Sequence, residues 1–290
     1  MSGGDGETNS ARATAAAGTL RGRRVLVTGA SSGIGRALAE RLARDGAVVA
    51  LVGRDSERLR RAAAACRAAG SPSVAIYPFD LAEGEAISSL IATVTRDFGG
   101  TPDVLIHAAG SAIAGRIEDT PAAAVREVLA VNLLAAMALA AALLPAMRTK
   151  RAGHLVFLSS GTAHFGVPTE AAYCASKAGL ERFVESLRAE LAGSGILVSV
   201  VSPGPVETPL LRRPRIYGGV ALVGRPDIAA RPETVADRIV TCLATGSARI
   251  ELSWRSRLVR HLAYWAPALL GRLIARQSGV AGAALGRRIE

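Results

Sequence analysis

Short, unbroken apolar runs recur along the chain, each followed by a stretch whose apolar residues return at helical spacing. The first run, Arg24–Thr28, ends at Gly29 and gives way to a helical stretch from about Ile34 to Arg44. Ala47–Val52 precedes a polar helical stretch over 56–69, and Val74–Phe79, Val104–His107, His154–Ser159 and Ile196–Ser202 repeat the theme. Alternating runs mark strands with one wet face. Continuous runs mark strands covered on both faces, as in a parallel sheet. Strands alternating with helices in this way predict one doubly wound α/β domain, and about 250 residues fit a single such unit. No repeat of 20–50 residues is visible.

Three segments depart from the theme. Residues 1–22 are small and polar, with no signal-like apolar run, and are expected to be disordered. Val128–Met147 is almost wholly apolar, but Asn132 and Pro145 interrupt it and it is short for a membrane span. It reads as an internal helix buried on all sides. From 249 to 290 the composition turns to Arg, Leu and Trp, which sets an amphipathic helical extension apart from a core at 23–248. Trp254, Leu258, Leu262, Trp265 and Leu269 form one helical stripe there, with Arg255, Arg257 and Arg260 outside it, the pattern of an interfacial helix. Pro267 is expected to break or kink that helix. The stripe can meet a membrane surface, cover a greasy substrate entrance, or pack on the core or a partner subunit.

Composition narrows the function classes. Half of the residues are hydrophobic and 20% are charged, which excludes a disordered chain. Aromatics at 4% are too few for a base-stacking surface. The net charge of +11 suggests nucleic acid until it is located: eight arginines against Glu251 and Glu290 lie in the extension, and the central domain carries little excess. A nucleic-acid enzyme places its basic stripe on the main domain, so no nucleic-acid partner is expected. Cys66, Cys174 and Cys242 are odd in number and widely spaced, neither a disulfide framework nor a zinc site, which fits a reducing, cytoplasmic setting. Of the 35 basic residues only Lys150 and Lys177 are lysines, so a lysine in a chemical role stands out.

Three elements carry candidate chemistry. Thr28-Gly29-Ala30-Ser31-Ser32-Gly33-Ile34-Gly35 follows the first strand and opens the first helix. Its glycines permit a tight turn and close approach to a pyrophosphate, which the helix N-terminus attracts. Alone, such a turn is also what an ordinary βα loop looks like. Tyr173 and Lys177 stand four residues apart, on one face of a helix. An ammonium nearby is expected to lower the phenol pKa from about 10 toward working pH, making tyrosine a usable acid or base. Ser160 follows the strand at 154–159, at the edge where α/β sites form, and its hydroxyl can hold a substrate oxygen.

Together these elements resemble the classical short-chain dehydrogenase/reductase family. The likeness covers residues 23–248, with Thr-Gly-x-x-x-Gly-x-Gly at 28–35, Asp80-Leu81, Asn132, Ser160, Tyr-x-x-x-Lys at 173–177, and Pro203-Gly204 followed by Thr208. It implies a single Rossmann-type sheet with the helical extension appended, and a dinucleotide-binding catalytic domain. By the resemblance, Tyr173 exchanges the proton at the carbonyl or alcohol oxygen, and Lys177 lowers the tyrosine pKa and holds the nicotinamide ribose. Ser160 orients the carbonyl, and Asn132 places a water in a proton relay through Lys177. Gly29, Ser31, Ser32, Gly33, Ile34 and Gly35 would carry the phosphates, Asp80 and Leu81 the adenine, Ala109 and Gly110 further backbone contacts, and Val206 and Thr208 the carboxamide. The cofactor supplies the hydride and the protein supplies position and protonation. One departure is His107-Ala108-Ala109-Gly110, where the family usually has Asn-Asn-Ala-Gly. The lost Asn at Ala108 puts local stability in doubt more than activity, and His107 reads as a packed strand residue. No metal site is expected.

Gly53 occupies the position where the family's NAD enzymes carry aspartate, and Arg54 follows it. Arg54, with Ser31 and Ser32 nearby, suits the 2′-phosphate of NADP(H), while Asp55 is expected to cap the next helix. The resulting reading is an oxidoreductase that transfers a hydride between NADP(H) and a ketone or secondary alcohol, acting on a lipophilic acyl-chain, sphingoid or polyketide-like substrate. The extension weakly resembles that of lipid-directed members such as 3-ketodihydrosphingosine reductase-like enzymes. A steroid or polyketide dehydrogenase fits the same core. A catalytically silent cofactor-binding scaffold is the alternative from another class. The resemblance also implies a homodimer through helices near Ala122–Met147 and Ala172–Leu191, a tetramer being the next assembly. The protein is expected in the cytoplasm, with peripheral membrane contact through the extension. Leu210–Pro226, with Arg212, Arg213, Arg215 and Arg225, is expected to form a lid.

Overall fold

A computed structural model describes residues 20–212, 215–219, 229–252 and 254–277. Of the disorder expected over residues 1–22, positions 1–19 fall outside the described residues, as do Arg213, Arg225 and 278–290, whereas 20–22 are ordered: Leu20 packs on the core and the Gly22 amide donates to the Gly46 carbonyl at 2.8 Å. Strand β1 (Arg24–Thr28) shows why the apolar runs are continuous: Val25 and Val27 enter the core on one face of the sheet and Leu26 enters the core on the other, all three fully buried. The same double burial holds in β2 (Val48–Gly53), β4 (Val104–His107), β6 (Gly153–Leu158) and β7 (Ile196–Ser202), with β3 (Val74–Pro78) at one edge. Between β4 and β6 lies the short β5 (Ile113–Ala114), which pairs with β8 (Arg215–Ile216) away from the main sheet. The seventh strand of the main sheet, β9 (Arg249–Glu251), pairs with β7 through Val201 and Ile250. The sheet therefore runs three residues past the limit expected at 248.

The main sheet is parallel throughout in the order β3-β2-β1-β4-β6-β7-β9. Its order reverses beside β1, where β2 and β4 flank the first strand, and that switch point is where α/β sheets open a crevice at their carboxyl ends. The helices are α1 (Gly33–Arg44), α2 (Ser56–Ala68), α3 (Ile87–Asp97), α4 (Ala122–Leu129), α5 (Ala135–Lys150), α6 (Ala171–Glu190), the short α7 (Pro209–Arg212), α8 (Pro232–Ala244), α9 (Trp254–Trp265) and α10 (Pro267–Gln277). α1, α2 and α8 cover one face, and α3, α5 and α6 the other. Asp55 caps α2 as expected, accepting the Arg58 amide at 2.9 Å. Cys66 and Cys174 are buried and free.

Helices α4 and α5 join through a widened π turn, Ala130–Leu134, into 29 continuous residues long and apolar enough to cross a membrane. The inner face, with Val128, Ala135, Leu139, Leu143 and Met147, is buried in the protein's own core. Burial on all sides does not hold, however: Leu134 is 55% exposed and Met137 36%. One stripe of this helix faces outward because only the other can meet the sheet.

The departure at 107–110 finds a replacement brace. Thr28, at the end of β1, accepts the Ala109 amide at 3.2 Å and lies 2.9 Å from Nδ1 of His107, so one hydroxyl ties β1 to β4 and its following loop. His107 is fully buried, and burial with the nearby Lys177 charge pushes its pKa down to about 3. It is a neutral packing residue, as expected. Thr28→Val keeps the shape but leaves the Ala109 amide and the His107 ring nitrogen unsatisfied. Urea unfolding should show a loss of about 1–3 kcal/mol; unchanged stability would mean that the hydroxyl braces nothing.

Candidate active site

The glycine turn shapes the first wall of the crevice. Gly29 has φ +68°, and a Cβ there would lie 2.7 Å from the backbone of Ala109 on the neighbouring loop. A Cβ on Gly35 would collide with the Gly29 carbonyl. Both positions therefore require glycine, which lets the turn fold tightly over the start of α1. Ser32, just before the helix, makes no side-chain cap, so the first amides of α1 face the crevice ready for a phosphate. This bare cradle fits a dinucleotide pyrophosphate.

The second wall comes from β6 and α6. Ser160 sits at the carboxyl end of β6, where its Oγ accepts from the Thr162 amide at 3.3 Å and lies 3.1 Å from the Thr162 hydroxyl. Tyr173 and Lys177 project from the first two turns of α6, and the Ser160 hydroxyl lies near enough to the phenol to favour its ionised form. Lys177 is buried; its ammonium donates to the Leu158 carbonyl at 2.8 Å and lies 5.9 Å from the centre of the Tyr173 ring. Here the electrostatics differ from expectation. Burial pushes the Tyr173 phenol up to about 12, only partly offset by Ser160, and pulls Lys177 down to about 8. Removing both groups from water outweighs an attraction exerted across the ring, because desolvation penalises each charged form. Tyr173 thus stands as a neutral acid, the form that gives a proton to a carbonyl oxygen.

Asn132 lies on the π turn, fully buried behind this wall. Its Nδ2 donates to the Ser111 carbonyl and to Ser176 Oγ, both at 2.9 Å, and its Oδ1 accepts the Ser111 amide at 2.8 Å. The side chain expected to place a relay water spends both amide hydrogens and one oxygen lone pair in joining the turn to the loop after β4 and to α6. Such turns leave backbone groups outside the regular helical ladder, which is why they recur at functional sites.

A cavity of about 910 Å³ collects the other expected residues: Gly29, Ser31, Ser32, Gly33, Ile34, Gly35, Arg54, Asp80, Leu81, Ala109, Gly110, Ser160, Tyr173, Lys177, Val206 and Thr208 all line it. At its far end a Cβ on Gly53 would lie 3.2 Å from Ser31 Oγ, so the serine occupies the space that a longer residue there would claim. Arg54 is 65% exposed and only loosely paired, 3.8 Å from Asp80 and 3.6 Å from Glu127. A neighbouring pocket is lined by Ser31, Ser32, Arg36, Arg58 and Arg61.

Sequence reasoning missed several lining residues, among them Phe165, Val167, Glu170 and Arg238, which no motif marks. The extension contributes Val259, Leu262, Leu270, Leu273 and Ile274 to the same cavity. The single stripe expected from the sequence does not hold. Pro267 breaks the helix as expected, and α10 starts afresh in a new register. Leu262 lines the cavity, whereas Leu258, Trp265 and Leu269 do not share that face and are exposed, together with Tyr264. The side chain of Trp254 lies outside what is described. Of the expected lid, Leu210 and Leu211 line the cavity, while Arg215 is committed to Glu127 at 2.6 Å and to Ser111 Oγ at 2.9 Å.

The family model described as short chain dehydrogenase matches residues 23–215. The chain belongs to the short-chain dehydrogenase family. It is therefore an oxidoreductase of the kind that binds a nicotinamide cofactor. It is 36% identical over 225 residues to a ketoacyl reductase of Nostoc, covering 78% of this chain and 76% of that one. A short-chain dehydrogenase from Streptomyces avermitilis shares the fold with a TM-score of 0.73 and 27% identity, over 92% of this chain and 99% of that one. A metagenomic short-chain oxidoreductase solved in complex with NADP superposes with a TM-score of 0.67 at 33% identity, covering 80% of this chain and 96% of that one.

Proposed function

We propose that the protein is an NADPH-dependent reductase of a lipophilic ketone. The observation that carries this reading is one cavity lined together by a neutral Tyr173, Ser160 and apolar side chains supplied by the C-terminal extension. A ketone oxygen held by Ser160 and Tyr173 takes the phenolic proton, and Lys177 supports the charge that develops there. The cofactor, when bound, supplies the hydride. Gly29 to Gly35 would hold its pyrophosphate, and Lys177 its ribose. Asn132 locks the loop and helix that carry these groups. An acyl-chain substrate also accords with the ketoacyl reductase of Nostoc. A silent scaffold is disfavoured, since cofactor binding alone needs no buried Tyr–Ser–Lys cluster.

NADP(H) is favoured over NAD(H) by the serine-filled space beside Gly53, the loosely held Arg54 and the basic pocket of Arg36, Arg58 and Arg61. Asp55 is spent as the cap of α2 and cannot hold a ribose. The NADP-bound metagenomic relative agrees. Assembly as a homodimer is favoured by the exposed Leu134 and Met137 on the helix pair proposed to meet across a two-fold axis.

The extension suits a cytoplasmic enzyme docked peripherally on an anionic membrane. Its inner face lines the cavity, while Leu258, Tyr264, Trp265 and Leu269 face outward. No carboxylate lies between Glu251 and Glu290 to repel anionic lipid. A lipophilic substrate could then pass from bilayer to site along one apolar path.

Three outcomes test this reading. Tyr173→Phe keeps the packing and removes the proton donor, so NADPH-dependent ketone turnover should fall about 10²–10⁴-fold with the fold intact by circular dichroism; wild-type turnover would refute the mechanism. Arg54→Ala should weaken NADPH binding about tenfold to a hundredfold, the worth of one charge-assisted hydrogen bond, and leave NADH binding unchanged by fluorescence titration. Equal affinity of the unaltered protein for both cofactors would remove the NADP assignment. In flotation, the protein should rise with anionic liposomes and not with neutral ones; no flotation would leave the outer face to a protein partner.

A further inference from the structure

Glu181 is a carboxylate in a place that water cannot reach. It lies on α6 one turn beyond Lys177, is 1% exposed, and neither of its oxygens has a hydrogen-bond partner among the described residues. Its one close contact is an ion pair, 2.6 Å from Nη2 of Arg249 on β9. Arg249 is shared with Glu185 at 3.3 Å, and Glu185 pairs more closely with Arg182 at 2.7 Å, so the cluster as a whole is balanced in charge while the Glu181 carboxylate stays short of hydrogen bonds. A buried carboxylate is costly unless it is paired and fully hydrogen-bonded, and a purely structural pair would satisfy more of its oxygens than this one does.

The groups around it identify what this carboxylate acts on. Lys177 is on the same helix, and among the described residues Glu181 is the charge that favours its protonated form against burial. From the loop after β6, His164 feels Glu181, Arg249, Glu251 and Arg260, and burial lowers its pKa, which favours the neutral ring. Arg188 lies further along α6 and feels the same cluster. On the other side of Lys177, His107 on β4 is neutral with a pKa pushed down to about 3, and Tyr173 is neutral below about 12. The lysine therefore has neutral neighbours on the site side and one buried carboxylate a helical turn behind it.

We propose that Glu181 is a positioning residue of the active site: its carboxylate, pinned by Arg249, keeps the Lys177 side chain in the ammonium form beside Tyr173. The proposal deepens the reductase reading, because it concerns the lysine that reading uses. It assigns Glu181 no contact with substrate or cofactor. It also gives β9 a purpose beyond closing the sheet edge, since the strand delivers the guanidinium that holds the carboxylate in place.

The chain has only two lysines, Lys150 and Lys177, so protein labelled with 13C at lysine Cε gives two resonances, and Lys150→Arg assigns them. This readout needs neither substrate nor cofactor, so its failure is separate from any failure of the reductase reading, which ketone turnover judges. In the unaltered protein Lys177 should titrate near 8. Glu181→Gln should move that titration toward acid by about one unit, at the low end for a lost neighbouring charge. Glu181→Asp should restore most of the shift. Glu185→Gln, on the more exposed side of the same pair, should fold readily and move Lys177 the same way by less. The alkaline limb of the turnover profile should follow the resonance in each variant. An unmoved Lys177 titration in Glu181→Gln overturns the proposal. If that variant does not fold, an unmoved titration in Glu185→Gln overturns it.

Discussion

The double burial of a parallel sheet governs the rest of this molecule. Strands covered on both faces can carry almost no polar side chains along their length, so polar chemistry is displaced to their carboxyl ends. β1, β4 and β6 end side by side at the point where strand order reverses, and their three loops supply the glycine turn, the Ala109–Gly110 backbone and Ser160. Their relative heights follow from parallel register, which aligns Thr28 with His107 and His107 with Phe157. Gly29 then has no choice of residue, since any Cβ would enter the backbone of the adjoining loop.

Desolvation is the second consequence. Groups placed at this edge are still covered by α6 and by the extension, so each titratable side chain is pushed toward its neutral form unless a charge opposes it. Tyr173 has no opposing charge strong enough and remains a phenol; His107 remains an imidazole. Lys177 is balanced between burial and Glu181. In the proposed reduction, proton donation falls to tyrosine because it is the neutral O–H donor beside Ser160 in the cavity.

The core was legible because its signals are local. Continuous apolar runs gave every long strand of the sheet, and the glycine turn, Ser160, Tyr173 and Lys177 were found at fixed spacings that the fold brings to one cavity. What escaped depends on contacts distant in sequence. Arg249 and Glu181 are 68 positions apart and meet only because β9 closes the sheet edge. No periodicity reveals that Asn132 would spend its side chain on Ser111, or that the apolar helix at 122–150 would leave Leu134 outside. The tyrosine pKa was misjudged for a similar reason: spacing shows that a lysine is near, but not how much water burial removes.

The extension shows the same limit at larger scale. Its apolar residues could be counted from sequence, but the break at Pro267 decides which of them turn inward. Leu262, Leu270 and Ile274 complete a cavity begun by Ser160 and Tyr173, and the ion pair of Arg260 with the buried Glu251 fastens α9 to the end of the sheet. An apolar wall joined to a proton donor should select substrates by chain length. The most direct measurement is kcat/KM with NADPH for a homologous series of linear ketones. The account predicts a rise of up to about fourfold per added methylene, the worth of burying one CH₂ at about 0.8 kcal/mol, until the wall is filled. A flat or falling series would contradict it.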